Sequence, residues 1–146
     1  VSWRSERPAR GFTLIEILVV ITVIAVLASL VSPNVFRNVG DAKQSAARSQ
    51  IEILSLALDA YRLDNDRYPT TAQSLDALRR LPEIPPVPRN WRGPYLRKDV
   101  PDDPWGRPYV YRSPGTENPD TFDLVSLGRD GEPGGESEDA DILSWD

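Results

Sequence analysis

From Phe12 to Val31 the chain is almost unbroken hydrocarbon: Leu14, Ile15, Ile17, Leu18, Val19, Val20, Ile21, Val23, Ile24, Val26, Leu27 and Leu30 crowd one short stretch. A helix needs roughly 20 apolar residues to cross a bilayer, so this run predicts a membrane-spanning segment. Glu16 lies five residues into it. An ionised carboxylate there is costly unless it is paired or held near an interface. Arg4, Arg7 and Arg10 precede the run and place its start on the cytoplasmic side. A removable secretory signal is the plain alternative. The run is longer than a usual signal core, and Ala28-Ser29-Leu30 is a poor cleavage site. A simple anchor leaves Glu16 without a purpose.

The 146 residues leave room for one long helix and one small domain, and the formal charge of −5 is unevenly spread. From Glu117 onward ten acids face a single base, Arg129. That balance argues against nucleic acid, which requires a basic face, and favours cation binding or a solvated tail. With neither cysteine nor histidine present, zinc sites, Cys-His pairs and Ser-His-Asp triads are excluded. A small extracytoplasmic domain without disulfides needs another staple, a metal or oligomerisation. Carboxylates are the remaining ligands, and they suit hard cations.

Beyond Asn34 the helical rhythm continues through Val35, Phe36, Val39, Ile51, Leu54, Leu58 and Tyr61, predicting one helix from Phe12 to Leu63. Pro33 and Gly40 are its expected weak points. Asp64-Asn65-Asp66 should stop it. Thr70 and Gln73 fit a capping box for a short second helix through Leu75, Leu78 and Leu81, closed by Pro82. Tyr95-Leu96, Tyr109-Val110-Tyr111 and Phe122-Asp123-Leu124-Val125-Ser126 read as three strands whose apolar face packs on the Ile51 to Tyr61 stripe. Trp91 and Trp105, beside proline turns, read as aromatics covering a small core. The carboxylate pairs Asp102-Asp103 and Asp64/Asp66 fall in turns, where solvated or capping roles are the usual ones, and nothing convergent supports catalysis.

The hexad Gly11-Phe12-Thr13-Leu14-Ile15-Glu16 before an apolar helix resembles the N-terminal signature of type IV pilins and pseudopilins. The resemblance implies that a prepilin peptidase cuts between Gly11 and Phe12 and that Phe12 becomes the N-methylated end. It also implies that Glu16 meets the N-terminal amine of a neighbouring subunit during filament assembly. Pairing removes most of the penalty that two lone charges would pay in an apolar bundle.

Tyr68-Pro69-Thr70-Thr71, Gly93-Pro94-Tyr95-Leu96, Asp103-Pro104-Trp105-Gly106-Arg107-Pro108-Tyr109 and Leu127-Gly128-Arg129-Asp130-Gly131 further resemble the major pseudopilins of type II secretion. That implies an α+β, type IV pilin-like fold: a long N-terminal helix, membrane-spanning in its first half, on a small antiparallel sheet with a C-terminal metal-binding loop. The implied organisation is a cleaved leader at 1–11, a transmembrane and assembly segment at 12–34 and a periplasmic globular domain at 35–146. The implied role is a non-enzymatic inner-membrane subunit that polymerises with itself into a periplasmic pseudopilus. Its implied partners are minor pseudopilins, the inner-membrane assembly platform and the prepilin peptidase. A type IV pilus or DNA-uptake pilin is the alternative; the missing disulfide and the acidic loop count against it.

Calcium is the implied cofactor. Gly131, Gly134 and Gly135 permit tight turns among Asp130, Glu136, Glu138, Asp139 and Asp141, and calcium takes six to eight oxygens at about 2.3–2.6 Å. By match to the family pattern, Asp130 and Asp141 are the expected side-chain ligands and Leu127 offers its carbonyl. Between Glu136, Glu138 and Asp139 the choice stays open. Ile142, Leu143 and Trp145 would anchor the tail and argue against disorder.

Overall fold

The computed structural model describes residues 11–146, with the side chains of residues 30–37 left outside that description. The chain divides into two compact units, Val1–Asn38 and Val39–Asp146. Helix α1 is assigned over Leu14–Asn65, without a break at Pro33 or Gly40. The expected kink concerns Pro33, which lies among the residues whose side chains are not described.

Among the described residues of the first unit, none on the helix is buried. Phe12, Leu14 and Ile15 are 80%, 84% and 69% exposed, and Ile17 through Leu27 present apolar side chains all round. The hydroxyls in this stretch are satisfied by the helix itself: Thr22 Oγ1 donates to the Leu18 carbonyl at 2.7 Å and Ser29 Oγ to the Val26 carbonyl at 2.7 Å. Among the described residues no helix is long and apolar enough to cross a membrane; the described part of the apolar run ends at Ser29.

In the second unit α1 carries the stripe that the sequence pattern predicts. Ala47, Ile51, Leu54, Leu58 and Tyr61 are buried, spaced three and four residues apart on one face. The helix ends where Asp66 turns left-handed (φ 60°), its N–H donating to the Arg62 carbonyl at 2.8 Å. Asn65 Nδ2 covers the Tyr61 carbonyl at 2.9 Å.

The sheet has three antiparallel strands in the order β1 (Val110–Arg112), β2 (Asp123–Ser126), β3 (Ile142–Leu143). Tyr111 pairs with Leu124, and Ser126 with Ile142. Tyr109, Tyr111, Phe122, Leu124 and Ile142 close one core with the α1 stripe and with Leu75, Ala77 and Leu78. Tyr111 donates its hydroxyl to the Pro69 carbonyl at 2.8 Å, which satisfies a phenol that burial would otherwise strand. Burial raises its pKa.

Two expectations need correction. Tyr95-Leu96 is not a strand; its backbone is taken by another partner, since Tyr95 N–H donates to the Leu78 carbonyl at 2.7 Å. Its ring packs on Tyr61 and Trp91, and its hydroxyl donates to Asp64 Oδ2 at 2.9 Å. The third strand comes instead from Ile142–Leu143, which was expected only as an anchor. The second helix is a single 3-10 turn, Leu75–Leu78, and Leu81 is exposed. The Thr70–Gln73 box does form, with reciprocal bonds of 3.0 and 3.2 Å, but it caps a turn. Ser74, at φ 55°, is the N-cap, accepting from Asp76 N–H.

Two carboxylates hold the loops. Asp103 is buried; it accepts from the Trp105 and Arg107 N–H groups at 3.0 and 2.9 Å and from the Ser126 hydroxyl at 2.7 Å. It thereby ties the Asp-Pro-Trp-Gly turn to β2. Asp123, 7% exposed, accepts from the Glu117 and Asn118 N–H groups at 2.9 and 3.0 Å, from Thr116 N–H and from Asn118 Nδ2. Burial pushes its carboxyl pKa up, but these donors together outweigh burial and lower it. A depressed carboxyl contributes stability above its unfolded pKa near 4 and loses it as pH falls through the folded value. Asp123→Asn should therefore lower the melting temperature at pH 7, with a cost of about 2 kcal/mol for lost charge-assisted bonds. The gap to wild type should narrow below about pH 4. Thermal melts of both chains from pH 7 to 3 check this, and a pH-independent gap would refute it.

Candidate assembly helix and acidic C-terminal loop

Glu16 stands in the first turn of α1, exposed, on the apolar helix. Its N–H is held by the Thr13 carbonyl at 3.1 Å and approached by Thr13 Oγ1 at 3.3 Å. Thr13-Leu14-Ile15-Glu16 is thus one half of a capping box, a signal legible in the sequence but absent from the reading above. The first-turn acid also faces the positive end of the helix dipole. Gly11 and Phe12 precede the helix without regular secondary structure, and among the described residues no atom lies within 4 Å of the position a Gly11 Cβ would take.

The acidic loop folds back on itself between β2 and β3. Gly131 N–H donates to the Leu127 carbonyl at 3.1 Å, Arg129 N–H to the Glu138 carbonyl at 2.9 Å, and Asp141 N–H to the Gly134 carbonyl at 3.2 Å. Gly128 (φ 61°) is required by close approach: a Cβ there would sit 2.7–2.8 Å from the backbone of Asp139 and Ala140. Arg107 braces the loop from the Asp103 turn, donating to the Gly128, Arg129 and Asp130 carbonyls at 3.0, 2.7 and 3.2 Å. The 3-10 turn Ser137–Asp139 docks on α1, where the Gln44 amide donates to the Ser137 carbonyl and the Glu138 side chain lies over Gly40.

The expected ligands separate into two groups. Asp141 Oδ2 accepts from Gly134 N–H at 2.9 Å, while its Oδ1 is buried with no partner. Leu127 and Asp141 line one open pocket with Pro133 and Trp145. Asp130 Oδ1 accepts from Glu132 N–H at 3.1 Å. Asp139 and Glu138 instead face Arg129: Nε to Asp139 Oδ1 at 2.8 Å, Nη2 to Asp139 Oδ2 at 3.1 Å and Nη1 to Glu138 Oε2 at 3.6 Å. The hydrogen bond to Asp139, then the charges of Asp139 and Glu138, raise the Arg129 pKa further. Among the described residues no three acidic side chains converge as a metal-holding group. Glu136 is exposed and makes no side-chain cap.

A family model for "Type II secretion system (T2SS), protein G" matches residues 34–145, and one for the "Prokaryotic N-terminal methylation motif" matches residues 7–32. The chain belongs to the type II secretion system protein G family. Among relatives, the type II secretion system core protein G of Pseudomonas aeruginosa is 49% identical over 141 residues, covering 97% of this chain and 98% of that protein. The Vibrio cholerae core protein G is 47% identical over 143 residues, covering 97% and 95%. The crystal structure of the major pseudopilin from the type 2 secretion system of enterohaemorrhagic Escherichia coli superposes with a TM-score of 0.65 at 42% identity, covering 79% of this chain and 96% of that one. Protein G membership accounts for the layout of helix and sheet and makes this a structural subunit, not an enzyme.

Proposed function

We propose that this chain polymerises with copies of itself into the periplasmic pseudopilus of a type II secretion system, driving folded proteins across the outer membrane. The observation that carries this reading is the start of α1, where residues 14–29 form an all-round apolar helix with no buried side chain and one acid in its first turn. Such a surface requires lipid before assembly and neighbouring helices after it. Internal bonding of the Thr22 and Ser29 hydroxyls suits that medium. In this reading residues 12–34 anchor a single-pass inner-membrane precursor and residues 35–146 lie in the periplasm. Prepilin peptidase removes residues 1–11 after Gly11, and Phe12 is N-methylated. Glu16 pairs with the N-terminal amine of a neighbour. Minor pseudopilins and the inner-membrane assembly platform are the further partners.

Calcium belongs to the same proposal. The orphaned Asp141 Oδ1 is the observation in its favour, because a buried, unpartnered carboxylate oxygen needs a proton, a water or a cation. Asp141, Asp130 and the Leu127 carbonyl fit a hard cation by donor type. Asp139 and Glu138 are paired with Arg129, whose positive charge opposes their use as ligands. When bound, the ion neutralises the loop and staples β2 to β3.

Deleting the gene in its native cell tests the assembly reading. Folded exoproteins should accumulate in the periplasm and be released again on complementation. Normal secretion with loss of surface fibres or DNA uptake would move the subunit to a pilus.

A further inference from the structure

We propose that Arg129 is the acidic loop's resident cation, closing the loop without metal and competing with calcium for Asp139. The inference rests on the calcium reading for its second half only. From Glu117 to the end of the sequence Arg129 is the one base against ten acids, and it sits inside the loop whose charge it must balance. Its fork engages both oxygens of Asp139, at 2.8 and 3.1 Å, and reaches Glu138 at 3.6 Å. A planar guanidinium matched to a carboxylate in this way is the strong form of ion pair, directional as well as charged.

The backbone makes the clamp effective. Arg129 N–H donates to the Glu138 carbonyl at 2.9 Å, so main chain and side chain of one residue grip the same turn. Glu138 lies over Gly40 and Gln44 holds Ser137, which seats that turn on α1. Arg129 therefore fastens the loop to the helix through contacts that need no ion. With both Asp139 oxygens engaged, the positive guanidinium beside them opposes a cation on the same carboxylate. Asp141 is outside the clamp, and its free Oδ1 remains available. Calcium then meets a folded loop whose Asp139 is already paired, so drawing on that carboxylate weakens the Arg129 pair.

The test compares wild type, Arg129→Ala and Arg129→Lys as full chains in detergent micelles, by thermal melting in EGTA and by calorimetric titration with calcium chloride. Arg129→Ala should melt lower in EGTA and bind calcium about tenfold more tightly, the scale of one charge-assisted pair no longer displaced. Arg129→Lys keeps the charge without the fork and should fall between the two. An unchanged EGTA melting temperature in Arg129→Ala overturns the proposal, as does calcium affinity equal to or weaker than wild type. If no chain responds to calcium, the calcium reading fails by itself; a lowered EGTA melt then upholds Arg129 as the loop's cation, and an unchanged one overturns it.

Discussion

Glu16→Ala should insert into the inner membrane as well as wild type and yet lose filament assembly and secretion. The acid is one exposed charge on a helix that otherwise presents hydrocarbon, so its removal makes insertion easier. Under the proposed pairing, the same change would strand a neighbour's N-terminal amine in the assembled bundle. Breaking one partner of a buried pair costs about 3–5 kcal/mol, which is roughly a hundredfold or more in association. Capping offers a competing explanation, because Thr13 and Glu16 share the helix start. Glu16→Gln separates the two: the amide retains capping chemistry and lacks the charge. Charge pairing expects both variants to fail, whereas capping expects Gln to restore assembly. Cross-linked filament yield, together with exoprotein in the medium, reads the result. Wild-type yield from Glu16→Ala would remove the pairing argument.

Calcium should raise the stability of the wild-type head, and EGTA should withdraw that gain. At a hundredfold excess over its dissociation constant a ligand adds about 2.7 kcal/mol, which is roughly 10 °C or more for a domain of this size. Asp141→Asn should abolish most of the difference, since its Oδ1 is the oxygen that lacks a partner. Melts of both chains with calcium chloride and with EGTA decide the matter. Identical wild-type curves in the two buffers would leave Arg107, Arg129 and the turn on Gly40 as the loop's supports.

The long helix, its buried stripe and two strands were legible because each is a periodic, local pattern. Ile51, Leu54, Leu58 and Tyr61 fall on one helical face whatever packs there, and they are buried. Glu16 and the Gly11-Phe12 junction stood out because a charge interrupts the hydrocarbon run and a glycine separates it from the basic leader. Tyr95-Leu96 misled because its apolar pair looks like a strand while its backbone bonds to Leu78 and its ring fills the space beside Tyr61. Ile142–Leu143 was too short to register as a strand until β2 offered it an edge. Asp103 caps its own turn as its place there suggested, but its bond to Ser126 and the donors that Asp123 gathers from 116–118 were hidden, since they come from outside each residue's own turn or strand.

The sequence by itself determined the family, the apolar helix with its lone acid and the acidity of the last thirty residues. Those properties follow from residue type and spacing, which no packing can alter. Tertiary structure decided which acids pair with Arg129, which carboxylate oxygen is left alone and which segment completes the sheet. Such choices depend on distances of a few ångströms between residues far apart in the chain, and spacing along the sequence carries no record of them.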